Sequence, residues 1–122
     1  MTEMRHSDLT ERIIRCAIDV HKALGPGLPR ELYARALAVE LERSELPFLT
    51  DVPCKVVYQG VVIGERRAPF VVSETVLVLP LATEIDDATL AEGVSLLRAT
   101  GHGVGLLLNF ARSRLDIRRI AN

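Results

Sequence analysis

The spacing of apolar residues changes period once along this chain, near Pro47, and that change limits the folds open to it. Before Pro47 the apolar positions fall at three- and four-residue steps: Leu9, Ile13, Ala17, Val20 and Leu24, then Leu32, Tyr33, Ala36, Leu37 and Leu41. Such steps line one face of an α-helix. After Pro47 they alternate, with Val52, Cys54, Val56 and Tyr58 on one parity and Lys55 and Gln59 on the other, which is the repeat of a half-buried strand. The chain therefore mixes helices and strands.

Turn and cap residues divide these patterns into elements. Ser7 is the expected N-cap of a first helix to Leu24, and Gly25-Pro26-Gly27 ends it, since glycine accepts the left-handed conformation and proline cannot continue the ladder. Pro29 suits the first turn of a second helix that runs to about Ser44. Gln59-Gly60 is a turn into Val61-Val62-Ile63, after which Gly64 and Glu65-Arg66-Arg67 either continue or end the hairpin. Phe70-Val71-Val72 and Thr75 to Leu79 read as strand, with Ser73-Glu74 either a turn between them or an interruption in one strand. Pro69 and Pro80 lack the N–H a ladder needs, so strand there is expected at an edge, bulged or short. Asp86-Asp87 cap a third helix whose apolar face includes Leu90, Ala91, Val94 and Leu97, and Gly101-His102-Gly103 stops it. Val104 to Leu108 is apolar throughout, as in a strand buried on both faces, and Ile117 to Ile120 is a candidate last strand. The order is α-α-β-β-β-α-β. A strand–helix–strand passage over residues 75–108 implies a right-handed crossover and some parallel pairing, hence an α/β domain of two or three layers.

With 122 residues the chain is expected to form one domain over 1–122, large enough for a core without disulfides or structural metal. Hydrophobic residues make up 48% and aromatics 4%, so the core is aliphatic and some apolar surface is left over. Fifteen Lys and Arg against sixteen Asp and Glu give a net charge of −1, which argues against a broad basic face for nucleic acid. No stretch approaches the ~18 consecutive apolar residues of a membrane span. The first fourteen residues are polar with spaced apolar positions and lack a signal-peptide core, so a cytoplasmic location is expected. Cys16 and Cys54 are far apart and have no ligand spacing; two buried thiols are favoured over a disulfide or a zinc site.

Most candidate motifs have plain structural explanations. Gly101-His102-Gly103-Val104-Gly105 follows a helix and opens a strand, the reverse of a phosphate loop. Gly25-Pro26-Gly27 precedes a helix, but no Gly-Lys-Ser/Thr follows. His6, His21 and His102 are scattered without metal-ligand spacing, and His21 is expected to be a partly buried, hydrogen-bonded core histidine. Neither cysteine has a nucleophile's context, and there is no GxSxG. Arg112, Arg114, Arg118 and Arg119 form the most basic stretch and could touch phosphate, although arginine serves equally in subunit ion pairs.

One constellation is more specific. Val20-His21-Lys22-Ala23-Leu24-Gly25-Pro26-Gly27-Leu28, then Tyr33, then Ala36 to Leu41 including Glu40, and later Gly105 to Phe110 including Asn109, with Arg118-Arg119-Ile120, closely resemble the GxxExxY protein family. These are small bacterial proteins of the PD-(D/E)XK, or restriction-endonuclease-like, superfamily. The resemblance runs from about Leu9 to Asn122 and implies a mixed sheet flanked by helices. It also implies metal-dependent phosphodiester hydrolysis, in which an Asp and a Glu hold Mg²⁺ and a Lys two positions after the Glu activates water.

At those positions the chain departs from the family. The motif's Glu position is Arg30, with Glu31 displaced by one residue and so turned by about 100°. The metal-binding Asp of a strand reading roughly R-A-D-L-L-V is replaced by Pro69. In the next strand Leu79 replaces the Glu and Leu81 the Lys. Thr89 and Glu92 stand where the family often has His and Gln. The resemblance therefore implies a catalytic site lost at Arg30, Pro69, Leu79 and Leu81, no metal and no cofactor. The expected function is a catalytically inactive nuclease-like domain that acts through protein contact as a homo-oligomer, with the aliphatic surplus partly at Leu79 and Leu81. The alternative is a non-cleaving nucleic-acid module using Arg66, Arg67, Arg112, Arg114, Arg118 and Arg119. An enzyme with relocated acids among Glu31, Glu65, Glu74 and Glu92 is the third reading.

Overall fold

The computed structural model describes residues 6–122, so the polar start of the chain through Arg5, and the side chain of His6, lie outside the described residues. The elements are α1 (His6–Leu24), α2 (Arg30–Arg43), β1 (Phe48–Tyr58), β2 (Val61–Val72), β3 (Val76–Leu81), α3 (Asp87–Thr100), β4 (Val104–Asn109) and β5 (Asp116–Ala121). The expected order holds, and the last candidate strand is real and longer than its apolar residues suggested. Ser7 lies inside the first turn of α1 rather than capping it.

The five strands form one sheet in the order β1-β2-β3-β4-β5, antiparallel except for the parallel pair β3–β4. Alternation along the central strands sends side chains to two cores. Val76 and Val78 of β3 and Leu106 and Leu108 of β4 face α1 and α2, where Ile13, Ala17, Tyr33, Leu37 and Leu41 cover them. Leu77 and Leu107 face the opposite way, against Leu96 and Leu97 of α3. The domain is thus three-layered, because strands with two apolar faces need helices on both. Gly93 allows α3 to come close, since a Cβ there would meet Leu107 Cδ1 at 3.1 Å.

The helices end where their cap chemistry requires. Gly25, at φ 69°, follows α1, and its N–H donates to the His21 carbonyl at 2.8 Å. Asp86 caps α3 by accepting from the Thr89 amide at 2.8 Å and from its hydroxyl at 2.7 Å, and both bonds hold the Asp86 carboxyl below its ordinary pKa. Along α2 only Tyr33, Leu37 and Leu41 are buried, at four-residue steps, so Leu32 lies off the stripe and is exposed. Leu24, at the end of the α1 stripe, is exposed too.

β2 runs unbroken through Gly64 and Glu65-Arg66-Arg67, pairing with β1 from Val61–Tyr58 to Val72–Phe48. Gln59 and Gly60 of the two-residue β1–β2 turn and Ser73 and Glu74 of the three-residue β2–β3 turn all have positive φ, the twist that joins antiparallel strands tightly. Cys16 is buried and Cys54 half-buried, and both are free thiols; Cys54 is less covered than expected because β1 is an edge strand.

Candidate functional site

The β2–β3 ladder holds only three register pairs, Phe70–Val78, Val71–Leu77 and Val72–Val76. Beyond Phe70 and Val78 the next positions on either strand include Pro69, Leu79 and Pro80, and the strands part. Pro80 is tolerated in the middle strand of five because its nitrogen faces the β2 side, where no neighbour asks for an N–H, and β3 is short, one of the three alternatives expected at a proline. Pro69 departs from that expectation: it is in an interior strand of 12 residues, away from the bulge opposite Val56 and Val57, and its nitrogen faces β1.

The parting strands open a cleft of about 620 Å³. Its walls bring together the positions that the resemblance singled out: Arg30 at the start of α2, Pro69 on β2, and Leu79 and Leu81 on β3. Arg66 and Arg67 of β2, Glu31 of α2 and Glu92 of α3 line it as well. Alternation directs Leu79 and Leu81 to the α3 side, where both are half-buried and pack against the core around Leu96 and Leu97. Pro80, between them, is buried.

Five charged residues surround this hydrocarbon. Arg67 bridges Asp51 at 3.3 Å and Glu65 at 3.8 Å, and Arg66 donates to Ser95 Oγ at 3.3 Å. Glu31 and Glu92 are the carboxylates in the cleft, carried by different helices, against the guanidinium groups of Arg30, Arg66 and Arg67. Of the four acids considered as relocated ligands, these two reach the cleft. Glu65 is held on the β1–β2 hairpin by Arg67, and Glu74 sits in the β2–β3 turn beside Pro47 and Phe48. Thr89 is engaged in capping α3. Among the described residues no group of three His, Cys, Asp or Glu is close enough to hold a metal ion.

The basic C-terminal stretch lies elsewhere. Arg112 makes two bonds to Glu84, of 2.9 and 2.6 Å, which lower the Glu84 pKa and raise that of Arg112. Arg118 is 3.6 Å from Asp116, and Arg119 donates to Thr10 Oγ1 at 2.6 Å. Arg114 borders a separate hollow beside His21 and Lys22 of α1. The six arginines considered for phosphate contact are thus divided between the cleft and the β5 side of the sheet.

Most of the signature residues also gather, but in a buried clamp. Tyr33 is fully buried and stacks on Phe110 with ring centres 4.6 Å apart. Its hydroxyl donates to the Gly25 carbonyl and accepts from the Leu28 amide, pinning the turn that contains Gly25 and Gly27. His21, 8% exposed, shares a 2.8 Å hydrogen bond with the Arg112 carbonyl, as expected of a core histidine. Asn109 Oδ1 accepts from the Ala111 amide at 2.9 Å, while its buried Nδ2 has no partner among the described residues. Glu40 stands apart on α2, where its carbonyl accepts the Cys16 thiol at 3.7 Å.

The aliphatic surplus has a different address from the one expected. Leu79 and Leu81 are half-buried, whereas Val57, Tyr58, Val61, Val62 and Ile63 at the end of the β1–β2 hairpin each expose more than half of their surface. Three consecutive apolar residues after the Gln59-Gly60 turn were the available signal, because a strand turns successive side chains to opposite faces. Compared with family models, residues 7–120 match the PD-(D/E)XK nuclease superfamily. No curated protein and no solved structure matches the chain.

Proposed function

Because the chain belongs to the PD-(D/E)XK nuclease superfamily, we propose that it keeps the superfamily's domain without its metal chemistry, and that it is a cytoplasmic structural or interaction protein that assembles with copies of itself. Within the superfamily it reads as a degenerate bacterial member of the GxxExxY group. The observation that carries this reading is the hydrocarbon in the cleft: Leu79 and Leu81 pack into the α3 core where the resemblance calls for Glu and Lys. Leucine at such positions removes the desolvation cost of a buried charge and stabilises the layer beneath α3.

The donor set fits a magnesium ion poorly. Mg²⁺ requires octahedral oxygen ligands, commonly one or two carboxylates with water and substrate phosphate. Here two carboxylates from separate helices share the cleft with three guanidinium groups, whose charge opposes that of a cation. The test is calorimetry with Mg²⁺ and Mn²⁺ beside a nuclease assay on DNA and RNA, together with a native mass. No saturable heat, no cleavage and a mass above one chain are expected; saturable binding with cleavage overturns the loss of chemistry, and a monomer overturns self-assembly.

A second reading rests on Arg30 and Arg66, which line the cleft without a carboxylate partner among the described ion pairs. A non-cleaving nucleic-acid module would use them for phosphate, and its binding would weaken as salt rises. A gel shift at low salt tests it, and no shift disposes of it.

A further inference from the structure

We infer that the far half of the β1–β2 hairpin is an arm through which two copies of this chain associate, each apolar tip seated in the groove between the other copy's arm and α3. The inference rests on the self-assembly reading and deepens it by naming the surface. Among the described residues, β2 has no strand on its β3 side from Val61 to Pro69, and β1 is an edge strand, so the arm is a two-stranded ribbon. Such a ribbon is marginal in water without a third strand or a covering layer.

The uncovered area is that of an interface. At the roughly 100 Å² that burying one such side chain removes from water, Val57, Tyr58, Val61, Val62 and Ile63 offer on the order of 500 Å². Shared between the two faces at the end of one ribbon, it is comparable with the largest apolar patches of monomers, about 300–600 Å², which are often functional. Beside them is a groove of about 780 Å³ whose walls include Val56 and Val57 of the arm and Leu90, Ala91 and Val94 of α3. Tip and groove together approach the about 800 Å² per partner that a stable complex buries.

The occupant is a second copy because one chain supplies both halves of the contact, a projecting tip and a groove, joined through Val57. A two-fold axis then pairs each with its complement twice, as a self-complementary interface requires. Charge permits it. Lys55 and Arg98 border the groove, Glu65 lies directly across from Lys55 on the arm, and a net charge of −1 per chain gives little repulsion between copies.

The experiment is sedimentation of the full chain at micromolar concentration, alone and with Ile63→Glu, Ala91→Lys and the milder Val61→Ser. These positions are exposed, so circular dichroism should report an unchanged fold. Expected are a wild-type dimer, weakening of about 100-fold in Ile63→Glu and in Ala91→Lys, a smaller weakening in Val61→Ser, and recovery of a dimer when the two charged variants are mixed. A monomeric wild type overturns both this inference and the self-assembly reading. An oligomeric wild type whose variants keep its mass overturns the arm alone, as do charged variants that fail to rescue each other. Should either charged variant lose its fold, Val61→Ser decides, and an unweakened dimer in it overturns the arm.

Discussion

The Tyr33–Phe110 clamp and the β1–β2 arm are both built around apolar residues, yet one is covered completely and the other hardly at all. In the clamp the aromatic rings stack, and the Tyr33 hydroxyl engages two groups of a glycine turn. In the arm, apolar side chains point away from both faces of a two-stranded ribbon. The periodic pattern reports which residues share a face, and only the assembled layers decide whether that face is met. The clamp is therefore where the fold is held, and the arm is where the domain has apolar surface to spare.

Substitutions can break or sharpen this contrast, and the largest effect is expected in the clamp. Phe110→Ala should cost about 3–5 kcal/mol by emptying a fully buried ring site, and urea unfolding monitored by circular dichroism measures it. Tyr33→Phe keeps the stack and removes the hydroxyl, leaving the Gly25 carbonyl and the Leu28 amide without their partner; about 1–3 kcal/mol should be lost in the same assay. A loss near zero would show that the turn holds itself.

The two tight turns come next. Gly60→Ala at the tip of the arm, where φ is 78°, should cost about 1 kcal/mol if the arm unfolds with the body. If hydrogen exchange instead shows the arm opening separately, the cost will appear there and not in the global transition. Glu74→Gly, at φ 57° in the turn at the end of the β2–β3 ladder away from the cleft, should gain up to about 1 kcal/mol by relieving a left-handed non-glycine residue. Val61→Ser on the arm should change the stability of the monomer by no more than about 0.5 kcal/mol. A large loss there would mean that the tip is packed within its own chain.

Element order, the parallel passage through α3 and the ends of the helices were legible because each rests on a local cause. Gly25 stops α1, Asp86 caps α3, and apolar runs bounded by glycine make buried strands. The central position of Pro80 was not, since the missing donor matters only where a neighbour requires it, and β2 has already left β3 at that point. The continuity of β2 through Glu65-Arg66-Arg67 was equally hidden, because charged residues suit a ribbon whose edge faces no strand. For the site, the resemblance named four positions from three elements, and the fold carries all four into one cleft. The same reading put Arg66 and Arg67 together with the C-terminal arginines, and their separation depends on the strand order, which no local pattern encodes.

The fork at Pro69 and Pro80 also guards the alignment of the sheet. A strand that slides by two residues keeps its apolar face inward, so hydrophobic patterning alone does not forbid the slip. From the observed pairing of Phe70 with Val78, sliding one way would set Pro80 against Phe70, and sliding the other way would draw Pro69 into the ladder against Leu77. Only the first shift brings into the ladder a residue with no N–H to donate, because the Pro69 nitrogen faces β1, as the Ser73 N–H does when it donates to the Pro47 carbonyl. Pro80 thus acts as a stop at the open end of a short ladder, leaving the chain fewer near-misses in which to become trapped as its middle strands zip.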